Sequence, residues 1–469
     1  MLTLKLGVFL IFFMPLLCVM LIHTSYFLAS SKYRGEFKES PTNSGGGRRV
    51  TVIVPVKNEP LELIDELINS LERVCSSCEL ILISDDPKDK ALKIRELCEA
   101  KASKLQNVEI KFLEGDPVSG GRVKALNRGV LEAKYDYILI LDVDSRPEEG
   151  FIDKLVWCVE SGYDACVGRW ESYQSSTTRL ALSIGRVMKF TVDVLYKGRS
   201  ALGFFIFPLG SGTLFRKDSL LAVGLWDEVI QDDMYIGMKF LINGFKTNYV
   251  DNAVVKVLVP SLFTSLKVQQ SRWAYGALEV LRRKYGEFIR SKVSIIKKLE
   301  VIIFLGQYIP TSLFFLGSLV VPLIAVLLGD DLINFGLIPT ALSITVFLAY
   351  AIGLYRSLST NNISKFVAIR TMGSSAAVTV ALLPTIFTGT LKSLLTKRTY
   401  YRVTPKGSYE RLTPSRYLSE FLYLTYLLVA STINFLVGNL LTALWCYSLM
   451  IAVLYVIVRA NKLVTTNTH

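Results

Sequence analysis

Three groups of side chains in this 469-residue chain have types and spacing that could do chemistry. Asp142 and Asp144 stand two residues apart at the end of the apolar run 137–141. In an extended chain alternate side chains share a face, so both carboxylates can enter one cleft. Two hard oxygen donors, completed by diphosphate oxygens and water, suit Mg²⁺ or Mn²⁺; the competing reading is a solvated turn. Asp232 and Asp233 precede a helix-like stretch, where one carboxylate suffices to cap the helix. Gln269, Arg272 and Trp273 form the third group. Arginine offers a fixed fork of donors for a diphosphate, and an indole a flat face for a sugar ring. The chain has two histidines, His23 and His469, one in an apolar segment and one at the terminus. That nearly excludes histidine acid–base catalysis and His-ligated zinc.

Weaker groups fall at the ends of other strands. The run 50–56 ends in Lys57-Asn58-Glu59-Pro60, and the run 79–84 ends in Asp85-Asp86. The carboxyl edge of an open α/β sheet is where ligands bind, although a capped turn also accounts for Asn58 and Pro60. Gly120-Gly121-Arg122 opens a helix with glycines and nearby cations, a suitable cradle for a diphosphate. Gly210-Ser211-Gly212 follows an aromatic run and reads either as a ligand border or as a tight turn.

The elements that must position these residues alternate. Apolar strands at 50–56, 79–84, 108–113 and 137–143 are separated by helical stretches at 61–74, 88–105 and 122–133, which predicts a mainly parallel, doubly wound sheet. No internal repeat is visible. With 51% hydrophobic residues and a mean hydropathy of +0.40, the chain joins a soluble domain to a membrane domain. Residues 6–29 carry no Lys, Arg or acid and are long enough to span a bilayer; the competing reading is a signal peptide, whose apolar core is shorter. Basic residues follow this segment, so the positive-inside rule predicts a cytosolic domain at 50–290, tethered by a linker at 30–49. Further crossings are predicted at 311–328, 332–355, 417–437 and 440–458. The stretch 372–391, interrupted by Pro384, is ambiguous. From 356 to 416 there are ten Lys or Arg and a single acid, Glu410, with basic residues on both flanks of that stretch. Keeping both flanks inside makes it interfacial or re-entrant and gives five crossings. The net charge of +13 fits these flanks rather than nucleic-acid binding. The seven cysteines, with one lone CxxC at Cys75 and Cys78, read as core or surface thiols.

Taken in order and spacing, these motifs resemble those of membrane-embedded family 2 glycosyltransferases, the group of cellulose, chitin and hyaluronan synthases. The resemblance implies an α/β GT-A-like (Rossmann-like) catalytic domain on an α-helical transmembrane domain. It implies that Asp233, with Asp232 beside it, is the catalytic base, and that Asp142 and Asp144 hold Mg²⁺ or Mn²⁺. Asn58, Glu59, Asp85, Asp86, Arg122, Asp142, Gln269 and Arg272 would bind the nucleotide sugar; Gly210, Ser211 and Trp273 would border the acceptor. Pro87 replaces a common Gly, leaving open which of Asp85 and Asp86 meets the nucleoside, and Arg122 stands at the usual Lys. Residues 401–407 are similar to the Phe-x-Val-Thr-x-Lys-Gly gating loop of cellulose synthases, with Tyr401 for Phe, so Thr404 and Lys406 would close over bound nucleotide. The implied activity is processive, inverting transfer from a UDP-sugar to a growing polysaccharide, by a multi-pass protein of the plasma membrane with possible export through its channel. Ceramide glucosyltransferases share a motif like Gln-x-x-Arg-Trp, so a lipid acceptor is the alternative. A degraded enzyme serving as a scaffold is a third reading, which retention of the acidic positions opposes.

Overall fold

A computed structural model describes residues 2–33, 49–360, 363–396, 404–405, 407–411 and 413–464. Its centre is an eight-stranded sheet: β1 (Val50–Val56), β2 (Cys78–Ser84), β3 (Val108–Glu114), β4 (Tyr137–Ile140), β5 (Ser145–Pro147), β6 (Ala165–Tyr173), β7 (Thr213–Arg216) and β8 (Thr247–Leu258). The order across the sheet is β3-β2-β1-β4-β7-β6-β8-β5. Helices Leu61–Val74, Lys88–Ala102 and Arg122–Glu132 connect the first four strands. Val52 and Val54 pack with the Leu61–Val74 helix on one face of β1, while Ile53 packs with Leu126 and Val130 on the other. Burial on both faces explains why these strands read as continuous apolar runs.

The first half of the sheet is parallel, as expected, but the second half is mixed. β7 runs antiparallel to both β4 and β6, and β5 antiparallel to β8. β4 also stops at Ile140, short of the predicted 143, so Asp142 and Asp144 lie in a turn closed by Ser145 N–H donating to the Asp142 carbonyl at 3.0 Å.

Among the described residues, six helices are long and apolar enough to cross a membrane: Leu2–Ser30, Tyr308–Leu328, Leu337–Ser359, Lys365–Leu395, Ser415–Val437 and Leu440–Ala460. Five of them align end to end. At the end far from the sheet, Lys5 pairs with Asp330 at 2.8 Å, and Asp331 accepts from Leu441 N–H at 2.7 Å and from the Thr442 hydroxyl at 2.6 Å. At the near end, Tyr26 reaches Glu300, Lys189 donates to Thr360, and Phe263 N–H donates to Asn461. The sixth, Lys365–Leu395, differs from the interrupted segment read in the sequence: it is one 31-residue helix running through Pro384. Ser374 meets Ser183 at 2.7 Å, a Cβ at Gly389 would lie 2.8 Å from the Ser271 carbonyl, and the Thr396 carbonyl accepts from Arg282. Both of its ends therefore meet elements on the sheet side, and its middle packs on the bundle through Leu383 and Thr390.

Four cysteines read as thiols are paired instead. Cys75–Cys78 closes the turn into β2, and Cys158–Cys166 joins the Phe151–Glu160 helix to β6, with Cα separations of 5.7 and 6.2 Å.

Candidate active site

One cavity of about 2030 Å³ opens at the carboxyl ends of β1, β2 and β4 and continues to the near ends of the membrane-type helices. It is larger than a typical small-molecule site of roughly 300–1,000 Å³. Lys57, Asn58, Glu59 and Asp85 line one end; Arg122, Asp142, Asp144, Asp232 and Asp233 line the middle with Gly210 and Ser211; Gln269, Arg272, Trp273 and Thr404 close it from the other side. The structure thus gathers residues spread over more than 340 positions around one space. Two expected residues are not among them. Asp86 is absent from the wall, and Lys406 lies outside the described residues.

The paired aspartates after β2 have divided roles. Asp86 accepts from Asn58 N–H at 2.7 Å and from the Ser84 hydroxyl at 3.0 Å, and lies 3.5 Å from Lys90. It holds the two strand ends together, with Asn58 at φ +56° in the turn. Asp85 faces the cavity, accepts from Asp116 N–H, and sits so close to Gly115 and Gly120 that a Cβ at either would fall 1.9 or 2.5 Å from its carboxylate. Burial raises the Asp85 carboxyl above its usual range, against the pull of the Gly121 N–H and Lys57.

Arg122 is the hub of the middle. Its guanidinium donates to Asp142, to Asp232 at 3.0 Å and to the Gly210 carbonyl, so one cation fixes three elements. Asp142 is also held through its backbone: its N–H donates to the Ser211 hydroxyl at 2.9 Å, which in turn meets Ser145 at 2.6 Å. Ser211 is 1% exposed, and its carbonyl accepts from Trp170 Nε1, so its contacts serve the carboxylate turn.

Asp233 heads the Asp232–Ile242 helix. One oxygen accepts from Gly210 N–H at 3.0 Å and the other from Met234 N–H at 2.8 Å. Burial first, then repulsion from Asp232, push Asp233 up to about 7, opposed by the Met234 N–H, Arg122 and Arg272. A carboxyl poised near neutrality is suited to general-base work. A Cβ at Gly210 would lie 3.3 Å from Asp233 and 3.4 Å from Arg122, a tight fit against both side chains.

Gln269, Arg272 and Trp273 occupy successive turns of the 28-residue helix Phe263–Arg290. Spacings of three and four place them on one face, toward the cavity. Among the described residues there is no group of three or more His, Cys, Asp or Glu able to hold a metal. Asp142 and Asp144, both on the wall, fit a divalent cation whose remaining ligands come from donor phosphates and water.

Sequence reasoning missed several supporting residues. Ser145 acts through a turn whose hydrogen bonds leave no spacing signal, and in it Ser211, expected at the acceptor border, braces Asp142. Glu279 accepts from Ile230 N–H at 2.9 Å and so fixes the approach to Asp232, but it lies 49 positions away. Arg199, fully buried, pairs with Glu300 at 2.6 Å beneath the cavity, across 101 positions.

The chain is similar to several known proteins. The model of glycosyl transferase family group 2 matches residues 137–458, and that of glycosyl transferase family 2 matches residues 51–222. A probable glycosyltransferase of Sulfolobus acidocaldarius is 32% identical over 375 residues, 77% of this chain and 78% of that protein. Glucomannan 4-beta-mannosyltransferase 7 of Arabidopsis thaliana is 30% identical over 61% of this chain and 52% of its own length. Poly-beta-1,6-N-acetyl-D-glucosamine synthase of Staphylococcus aureus is 24% identical over 58% of this chain and 65% of its own. In fold the chain is similar to a mannosyltransferase of Pyrobaculum calidifontis solved with GDP-mannose and Mn²⁺, at a TM-score of 0.56 and 16% identity over 85% of this chain and 99% of that one. A GT-A-like catalytic domain joined to helices of membrane-spanning length is therefore the architecture of an enzyme, and the chain belongs to glycosyltransferase family 2.

Proposed function

We propose that this enzyme is an inverting, processive transferase that moves a sugar from a nucleotide donor, a UDP-sugar in our reading, to a growing polysaccharide. The observation that carries the reading is the single cavity joining the glycine-cradled Asp85, the Arg122–Asp142 pair, Asp233 and Trp273 to the ends of the apolar helices. The nucleoside lies against Asn58, Glu59 and Asp85. Arg122, Arg272, Gln269 and the Thr404 hydroxyl, which has no hydrogen-bond partner among the described residues, face the diphosphate. Asp142 and Asp144 hold Mg²⁺ or Mn²⁺, which when bound offsets charge on the departing diphosphate. Asp233 takes the proton of the acceptor hydroxyl as that oxygen attacks the anomeric carbon from the face opposite the diphosphate. Both oxygens of Asp233 are fixed by backbone amides, so its position needs no reorganisation. Trp273 stacks on the acceptor's terminal sugar.

The sheet lies on the cytosolic side in this reading, and the Lys365–Leu395 helix lies along the membrane surface, in keeping with its sheet-side contacts at Ser374, Gly389 and Thr396. The related polysaccharide synthases favour a polymer product. A lipid acceptor is the second reading. It is favoured by the helix end of the cavity, where Ile184, Val187, Val378, Leu382 and Ile386 form an aliphatic wall suited to an acyl or isoprenoid chain.

Purified protein in nanodiscs, given Mn²⁺ or Mg²⁺ and a panel of radiolabelled nucleotide sugars, tests this. A ladder or high-mass, water-soluble product establishes a polysaccharide synthase and names the donor. A single organic-soluble product establishes the lipid acceptor, and no transfer or hydrolysis of any nucleotide sugar defeats both.

A further inference from the structure

Glu410 is the one acid among the ten cations of residues 356–416, and the structure gives it a specific task. The Phe263–Arg290 helix begins badly on its own: its N-cap is Leu262, which has no side-chain oxygen to accept from the first amides. The amides leading into the helix, and its first one, are met instead from far away in the chain. Ser261 N–H donates to both Glu410 oxygens at 3.0 and 3.1 Å, Leu262 N–H donates to Glu410 Oε2 at 2.7 Å, and Phe263 N–H donates to Asn461 Oδ1 at 2.9 Å. Thr264 then donates to the Arg411 carbonyl, and Lys267 to Glu420 at 2.6 Å. A carboxylate at a helix N-terminus also meets the positive end of the helix dipole.

Residues on either side of this contact face the cavity. Thr404 and Pro405, six and five positions before Glu410, form part of its wall, while Gln269, Arg272 and Trp273 lie two to three turns into the helix. Tyr409 lies against Lys90, 5.4 Å from cation to ring centre, and Lys90 approaches Asp86, which holds the strand ends behind the Asp85 end of the cavity. Glu410 therefore sits where three parts of the donor end meet. Burial raises its carboxyl against the pull of the Ser261 and Leu262 amides and the Ser265 hydroxyl, so the ionised group is kept at some cost to stability. A cap side chain at position 262 would reach only the amides inside the first turn, so it could not tie the segment before the helix to residues 404–411 as Glu410 does.

We propose that Glu410 is a positioning residue for donor binding: it clamps the Thr404–Pro405 wall to the start of the Gln269–Trp273 helix and sets the spacing of the two groups across the diphosphate. The proposal rests on the donor-end reading for its nucleotide consequence only.

The test uses the full chain in nanodiscs with Cys18 replaced by Ser and spin labels at Leu92→Cys and Arg411→Cys, both exposed. Glu410→Ala should broaden the label-to-label distance distribution. It should also weaken binding of UDP and GDP with Mn²⁺ by about tenfold for whichever binds, the size expected for losing charge-assisted bonds. Glu410→Gln, which keeps shape and an accepting oxygen, should fold normally and fall between Glu410→Ala and wild type. Glu410→Asp should recover part of the affinity, and the loss should appear in donor KM rather than in kcat. An unchanged distance distribution in both Glu410→Ala and Glu410→Gln overturns the clamp. A broadened distribution with unchanged nucleotide affinity and donor KM overturns its service to the donor. A wild-type protein that binds neither nucleotide defeats the donor-end reading instead, and the distance measurement still decides the clamp.

Discussion

At the sheet end of the cavity, Asp85, Asp142 and Asp233 are each held by a backbone amide, a guanidinium or both, and glycines stand wherever a Cβ would collide. At the helix end the wall is Ile184, Val187, Val378, Leu382 and Ile386, with Ser375 and Thr379 between them. One end is shaped to fix charged groups in place, and the other offers an aliphatic wall with few polar groups to hold a ligand. A site that transfers a small polar group to a long or greasy acceptor needs that contrast, because the donor must be oriented while the acceptor must move. Asp233 and Trp273 stand where the two ends meet. The most severe way to break the contrast is at that junction. Asp233→Asn should lower turnover by about 10²–10⁴-fold while leaving nucleotide affinity near wild type. Steady-state transfer beside equilibrium nucleotide binding checks this, and retained turnover removes the base assignment.

The next effect belongs to the sheet end alone. Asp144→Ala, or wild type treated with EDTA, should lose roughly 10²-fold in nucleotide affinity, because the diphosphate then faces the remaining carboxylate without a cation. Titration of UDP and GDP with and without Mn²⁺ measures it; equal affinities in all four conditions would sink the metal role. At the helix end, Val187→Trp and Leu382→Trp should fill the acceptor limb and leave the donor end intact. Product formation should fall by roughly tenfold or more, as for a misplaced reactant, while nucleotide hydrolysis and affinity stay near wild type. Donor affinity falling in step with transfer would show that the two ends are not separable.

Much of this contrast was readable in the sequence, and the reasons are local. Asp85, Asp142 and Asp144 end apolar strands, so topology places them at one edge without further help. Gln269, Arg272 and Trp273 lie on one helical face by spacing. What stayed hidden depends on long-range pairing. The antiparallel insertion of β7 between β4 and β6 rests on a four-residue strand with no alternation to read. The shortened β4 moved the metal-type carboxylates from a strand into a turn stabilised by Ser211, 69 positions later. Pro384 suggested an interruption, yet packed helices tolerate proline where neighbours re-satisfy the backbone. Asp85 and Asp86 look alike in sequence, and only the Asn58 turn and the Gly115–Gly120 cradle separate them.

The pH dependence sharpens the junction further. The Asp233 carboxyl is raised from 3.8 to about 7 by burial and by Asp232, so the protonated form is favoured in the folded state. The base must be ionised to act, so kcat/KM should rise with pH and reach half its plateau near pH 7. Stability runs the opposite way. The contribution from neutral Asp233 is complete below 3.8 and is lost as pH rises through about 7. Asp233→Asn should therefore flatten the melting temperature between those limits as well as abolish the rate profile. A wild-type rate independent of pH from 5 to 8 would show that proton removal at Asp233 does not limit transfer.

The smallest effects should separate the two aspartates after β2. Asp85→Asn keeps the fold but replaces a buried carboxylate on the cavity wall, so nucleotide affinity should fall by about threefold to tenfold, the loss expected for one hydrogen bond. Asp86→Asn replaces one of two oxygens that accept separately from the Asn58 amide and the Ser84 hydroxyl with a donor, away from the wall. It should cost about 1–3 kcal/mol of stability, with affinity nearly unchanged at temperatures where the protein stays folded. Thermal melts run beside nucleotide titrations decide the matter. If Asp86→Asn is the variant that loses nucleotide, the donor end rearranges on binding, and the contrast between a rigid donor end and a compliant acceptor end is weaker than the structure makes it.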